Sequence, residues 1–402
     1  MPPLIEMVDL PEEKLKIMLV AGEASGDAHA AKLVNALGAA APHVRFEFFG
    51  AAGEKMRAAG VEAVVRSEHL SSVGLAEIGR ALPMFLKVFR ALKRAASERR
   101  PDAVVLVDFP DFNLKLAKAL KKRGFKIIYY ISPQIWAWRS YRLRAIRRDV
   151  DLLLTILPFE KAWYEKRGFS KVEYVGNPLA REIRAHSTKE EFCARAGLNV
   201  AKPIVSLLPG SRHKEIVRIF PPMLETASLM AAENPELQFV AALAANRHRP
   251  EVEALIARAK EENRRLPEKL LVTTGETLDA LNASDAALVT SGTATLETAI
   301  IGTPFAIVYK TSPVNYKLLR PLISVEHFGL VNLIAERRLI NEYIQDDFTP
   351  EALKREMFRL LEAETNREIR RSLGEVTEKL GRGGASKRAA EAVLREIGIA
   401  DN

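Results

Sequence analysis

A chain of 402 residues, 48% hydrophobic and 28% charged, has the composition of a globular protein with room for two domains, each with its own core. Its one cysteine, Cys193, excludes an internal disulfide; the seven histidines are scattered, so no Cys/His metal centre is expected, and no apolar run approaches the roughly 18 residues that span a bilayer. Net charge is +9, which favours an anionic partner: nucleic acid, acidic lipid or a phosphorylated substrate.

The segment Met1–Lys14 carries Glu6, Asp9, Glu12 and Glu13 and lacks an apolar core, so it does not read as a signal peptide. Beyond it, short apolar runs predict strands at Ile17–Ala21, Phe46–Phe49, Ala103–Val107, Lys126–Tyr130, Leu152–Ile156 and Val172–Val175. A second series follows at Ile204–Leu207, Phe239–Leu243, Leu270–Thr273, Ala286–Val289 and Phe305–Val308. Continuous runs of Val, Ile, Leu and Phe suit strands buried on both faces of a parallel sheet. Helical stretches separate them, which predicts two doubly wound, Rossmann-like α/β halves in tandem. The break is expected near Gly176-Asn177-Pro178, and two facing sheets would make a cleft at the carboxyl ends of their strands.

In the first half, the turn Ala21–Asp27 has glycines for close approach, yet Glu23 and Asp27 would repel a pyrophosphate. Glu23, Ser25 and Gly26 therefore read as a site for sugar hydroxyls, or as a plain turn with a helix cap. Leu75, Ile78, Leu82, Phe85, Phe89 and Leu92 recur at helical spacing among Arg80, Lys87, Arg90, Lys93 and Arg94. Pro83 is expected to start a second helix there. A basic helix of this kind fits either a membrane interface or a core-facing stripe. Asp108 ends a buried strand, where partial desolvation raises a carboxylate's pKa and makes it a usable base, or it caps the helix that follows; Asp111 reads as a helix cap. In Ser132–Arg139, Trp136 and Trp138 suit a sugar ring or internal packing, and Arg142, Arg144, Arg147 and Arg148 suit phosphate or a solvated face.

The second half carries two strand-to-helix turns built for phosphate. In Leu207–Arg212, Gly210 and Ser211 open the turn and Arg212 adds a cation. In Ser291–Glu297, Ser291, Gly292 and Thr293 precede a helix over Thr295–Ile301, where free N–H groups and the helix dipole favour an anion. Glu297 stands in the first turn, in position for ribose hydroxyls. The pair suggests a nucleotide diphosphate held between the two turns.

These motifs, with Leu157-Pro158-Phe159-Glu160 and Asn332-Leu333-Ile334-Ala335, occur in an order that resembles the lipid-A-disaccharide synthase family, over nearly the whole chain from about Lys16. The resemblance implies a GT-B type inverting glycosyltransferase that needs no metal or other cofactor. It would join UDP-2,3-diacylglucosamine to 2,3-diacylglucosamine 1-phosphate through a β-1,6 linkage and release UDP. It implies Asp108 as base, Arg212 on the donor diphosphate and a catalytic Asn332, with Glu297 on ribose and Glu23 near the acceptor. Ser25, Gly26, Trp136, Gly210, Ser211, Ser291, Gly292, Thr293, Glu342 and Gln345 complete the expected substrate contacts. The expected organisation is an extension over residues 1–15, an acceptor and membrane domain over 16–177, a donor domain over 178–360, and C-terminal helices over 361–402 that return to the first domain. The expected place is the cytoplasm, peripherally on the anionic inner face of the inner membrane, with no nucleic-acid partner and with a homodimer left open. Asn177 and Val331 depart from the family's usual His and Pro. Another UDP-sugar enzyme of the same fold (a 2-epimerase or a peptidoglycan precursor transferase) and a non-catalytic membrane scaffold remain as alternatives.

Overall fold

The computed structural model describes residues 13–68, 78–262, 265–312, 316, 327–381 and 383–399. They form two compact units: the described residues of Met1–Pro178 with those of Gly383–Asn402, and those of Leu179–Arg382.

The first unit is a seven-stranded parallel sheet. Its strands are β1 (Glu13–Ala21), β2 (Val44–Ala52), β3 (Glu62–Arg66), β4 (Ala103–Val107), β5 (Ile127–Tyr130), β6 (Leu152–Thr155) and β7 (Val172–Tyr174), in the order β3-β2-β1-β4-β5-β6-β7. Its helices are α1 (Ala24–Ala40), α2 (Glu54–Ala58), α3 (Ile78–Arg99), α4 (Pro110–Lys121), α5 (Leu143–Asp149) and α6 (Pro158–Glu165). Side chains alternate across the sheet as the strand period of two requires. Ile17, Leu19 and Ala21 pack on one face against Leu33 and Leu37 of α1. Met18 and Val20 pack on the other face against Leu92 of α3 and Leu116 of α4. Burial on both faces explains why these strands read as unbroken apolar runs.

The second unit is a six-stranded parallel sheet of β8 (Ile204–Leu208), β9 (Gln238–Leu243), β10 (Leu270–Thr274), β11 (Ala286–Thr290), β12 (Phe305–Tyr309) and β13 (Glu342–Ile344), in the order β10-β9-β8-β11-β12-β13. Its helices are α7 (Lys189–Ala196), α8 (His213–Glu233), α9 (Arg249–Glu261), α10 (Thr277–Ala283), α11 (Thr293–Ile301), α12 (Leu330–Ala335), α13 (Pro350–Leu361) and α14 (Ala363–Lys379). The chain then ends in α15 (Ala385–Ile397), which belongs to the first unit and buries Ala389, Val393 and Leu394 beside α1.

Three local expectations are corrected. The first strand begins at Glu13, so the end of the segment read as an extension joins the sheet. Strands β3 and β13 went unpredicted; both are short sheet edges without a fully buried residue. Pro83 does not begin a helix but lies within α3, near its start, where little of the hydrogen-bond ladder precedes it. Among the described residues, no helix is long and apolar enough to cross a membrane.

In each sheet the strand order reverses once, between β1 and β4 and between β8 and β11. Ligands of doubly wound sheets bind at the carboxyl ends of strands at such switch points.

Candidate active site

The first switch point is occupied by a strained carboxylate. Asp108 and Phe109 follow β4 with φ of 46° and 50°, two consecutive left-handed residues without glycine. Such backbone is held only where its surroundings over-determine it. The Asp108 N–H donates to Tyr130 O at 3.0 Å. Its carbonyl accepts from Asn113 Nδ2 at 2.8 Å and from the Tyr129 hydroxyl at 2.6 Å. The Phe109 ring lies over Gly22, where a methyl group would overlap it, and stacks with Phe85 at 6.4 Å. Burial, and next the charge of Glu23, push the Asp108 carboxyl up to about 6, against a backbone hydrogen bond that lowers it. Glu23 itself is exposed at the start of α1, as is Ser25, while Gly26 is buried.

Neighbouring loops reinforce this end of the sheet. Trp136, expected to offer its face to a sugar, is instead 6% exposed, because its indole N–H is paired inside: Nε1 donates to Glu160 Oε1 at 3.0 Å. The other Glu160 oxygen accepts from Ile156 N and Leu157 N. Burial pushes the Glu160 carboxyl up to about 7 despite these donors. Trp138 is the exposed tryptophan, with the Arg139 guanidinium 4.0 Å from its ring centroid. Asp27 is buried and binds Gly53, Lys55 and Met56 N–H groups, so it caps α2 and is no ligand for sugar. Asp111 makes no cap; it pairs with Arg139 and Arg142.

The second switch point is a cavity of about 510 Å³. Gly210, Ser211, Arg212, Ser291, Gly292, Thr293 and Glu297, all chosen from sequence, line it. Gly210 has φ 109°, and a Cβ there would come within 2.7 Å of Glu215 Oε2. Glu215 accepts from Ser211 N at 3.2 Å and from Arg212 Nη1 at 3.1 Å, which steadies an arginine whose side chain is 81% exposed. Gly292 has φ 153°, a conformation that favours glycine. Helices α8, α10 and α11 all begin at this cavity, and none of the three has a side-chain cap. Their first-turn N–H groups carry the positive ends of three helix dipoles. Burial raises the Glu297 carboxyl.

Asn332, Glu342 and Gln345 do not line this cavity. Asn332 is wholly enclosed: Nδ2 donates to Ile340 O and Glu342 Oε1, and Oδ1 accepts from Leu339 N and Ile340 N. Glu342 also accepts from Phe328 N and Gly329 N, and Gln345 bonds Thr311 through both ends of its amide. Asn332 thus braces α12 against β13. Leu75 lies outside the described residues, as do the side chains of Ile78, Arg80 and Leu82. Phe85 and Phe89 are partly buried against the core, Leu92 is fully buried, and Leu86 is 45% exposed. Sequence reading missed Asn113, Tyr129 and Glu215, whose work is to hold backbone and which carry no signature of their own.

Two parallel doubly wound units with a phosphate-type cavity at a switch point define a GT-B type protein. Its fold is similar to the co-structure of S. aureus MnaA with UDP (TM-score 0.64, 14% identity, 96% of this chain and 98% of that one). It is also similar to the calicheamicin glycosyltransferase CalG4 (TM-score 0.59, 16% identity, 96% and 99%). Residues 17–396 match the family model described as lipid-A-disaccharide synthetase. Lipid-A-disaccharide synthases of Trichlorobacter lovleyi and Anaeromyxobacter dehalogenans are 42% and 43% identical, over 95% and 94% of this chain and 97% of each relative. The chain belongs to the lipid-A-disaccharide synthase family, and it is a glycosyltransferase of lipid A biosynthesis.

Proposed function

We propose that the protein transfers the diacylglucosamine of UDP-2,3-diacylglucosamine to the 6-hydroxyl of 2,3-diacylglucosamine 1-phosphate. The new bond joins that oxygen to the donor's anomeric carbon as the carbon–oxygen bond to UDP breaks. The proton passes to Asp108, and UDP leaves with the bonding electrons. A carboxylate with its pKa near 6 is ionised at neutral pH and still basic enough to take that proton. The observation that carries this reading is a half-buried, strained carboxylate at one switch point in a chain whose other switch point gathers three uncapped helix starts.

In the second unit the uncapped N–H groups and Arg212 receive the diphosphate, offsetting charge that grows as UDP departs. Ser211, Ser291 and Thr293 supply hydroxyl donors, and Glu297 takes the ribose. In the first unit Glu23, Ser25 and Gly26 border the acceptor. Asn332, Glu342 and Gln345 act by positioning, through the brace around β13. The protein works at the inner face of the inner membrane, held peripherally by α3, where exposed Leu86 stands among Lys87, Arg90 and Arg94. Flotation with anionic vesicles tests this: Leu86→Ser should weaken binding, and unchanged binding would move the contact elsewhere.

The decisive experiment is UDP release in mixed nonionic micelles containing EDTA, with the donor lipid, the acceptor lipid, or both. Release should need both lipids and survive EDTA. Absence of release by protein that still binds UDP would refute the acceptor assignment.

A further inference from the structure

The arginine run after the Ser132–Trp138 loop has no part in the reaction as drawn. Two of its members converge on one carboxylate. Arg139 Nη1 lies 3.0 Å from Asp111 Oδ1, and Arg142 Nη2 reaches the same oxygen. The arrangement is lopsided. The Asp111 side chain is 71% exposed, whereas that of Arg142 is only 12% exposed. Arg139 is further fixed over the Trp138 ring. Two guanidinium groups share a single negative charge, so the cluster retains a net positive charge on rigidly held donors.

The cluster adjoins the base. Asp111 follows Asp108 in the same turn, at the start of α4. The Tyr129 hydroxyl bonds Asp108 O at 2.6 Å. Burial first, then the charge of Asp108, push that phenol upward, while Arg142 pulls it down and Asp111 adds a further upward push. Tyr129 is thus within electrostatic reach of the base and of the cluster at once.

We propose that Arg139 and Arg142 form the seat of the acceptor's phosphate monoester, and that Asp111 holds the two guanidinium groups in register until the phosphate displaces it. This rests on Asp108 being the base for the acceptor hydroxyl. In a glucosamine 1-phosphate the carbon that bears the phosphate and the carbon that bears the 6-hydroxymethyl group flank the ring oxygen, so an anion seat close to the base is what the acceptor requires. A phosphate monoester carries about −1.5 to −2 at neutral pH, against −1 for a carboxylate, and its oxygens match the planar guanidinium fork. It therefore competes with Asp111 for the two cations. The remaining arginines are poorer candidates: Arg148 already has a bidentate partner in Asp149.

The test compares acceptor with and without its 1-phosphate, in nonionic micelles free of anionic lipid, for wild type, Arg142→Gln and Asp111→Asn. Wild type should prefer the phosphorylated acceptor in kcat/KM. Arg142→Gln should cut that preference by about tenfold or more, through KM. Asp111→Asn should act in the opposite direction and lower KM for the phosphorylated acceptor by about threefold, which a merely structural ion pair would not do. Calorimetric UDP binding by the second unit serves as the folding control. An unchanged preference in Arg142→Gln overturns the assignment. So does a defect that appears only when anionic phospholipid is added, which would make the cluster a headgroup site. A wild type that releases no UDP with either acceptor refutes the underlying reaction instead.

Discussion

At the β1–β4 switch point the chain closes around a carboxylate; at the β8–β11 switch point it opens around a cavity. Both sit at the place where strand order reverses in a parallel sheet. The first is crowded, with two left-handed residues, a ring seated on Gly22 and a carbonyl held by two donors. The second is spare, with Gly210 and Gly292 clearing space and three helix starts left uncapped. Burial and the charge of Glu23 in the first raise the proton affinity of an acid. Helix starts without side-chain caps in the second favour negative charge. On the proposed reading one topology serves proton transfer at one site and anion binding at the other, and the difference lies in the turns rather than the sheets.

The sharpest way to break this contrast is to remove the acid alone. Asp108→Asn should lower turnover by about 100-fold or more with UDP affinity nearly intact, because a base is lost with little change in volume. Single-turnover rates and calorimetry separate the two; unchanged turnover would leave the first switch point without its base. Arg212→Ala should do the converse at the second switch point, weakening UDP binding by about tenfold and slowing transfer with it. A rise in acceptor KM alone would remove Arg212 from the donor side. A smaller effect tests the crowding itself. Gly22→Ala drives a methyl group into the Phe109 ring and should slow turnover by about tenfold or less through misplacement of Asp108, with UDP affinity held. Equal losses in both would show that the substitution disturbs more than the first site.

These two sites were unequally legible in the sequence. The cavity residues announce themselves through local chemistry, since a glycine turn after an apolar run fixes both the backbone and the anion site. Asp108 was legible for a similar reason, as a carboxylate at the end of the buried run Ala103–Val107. The misreadings share one cause. Trp136 and Asp111 have partners far away in sequence: Glu160, and Arg139 with Arg142. No spacing rule reveals whether a polar side chain will be spent on such a partner. Strands β3 and β13 were hidden because both are short and only partly buried, with charged residues at the ends of one and at the start of the other.

The subtlest consequence of the contrast concerns stability. The Asp108 carboxyl is raised from the ordinary 3.8 to about 6 by burial and Glu23, so the folded state binds its proton more tightly than the unfolded state does. Its contribution is therefore fully present below about pH 3.8 and is lost as pH rises through about 6. Glu160, raised from 4.5 to about 7, has the same sign over a slightly higher window. At pH 8 the ionised Asp108 costs up to about 3 kcal/mol relative to a neutral group of its size. Asp108→Asn should thus abolish catalysis yet raise Tm at pH 8 by several degrees, with almost no gain at pH 4. Melting curves of wild type and variant at the two pH values decide it. Equal Tm differences at both pH values would mean that the acid is not held against its own ionisation, and that the crowded turn serves some purpose other than tuning a base.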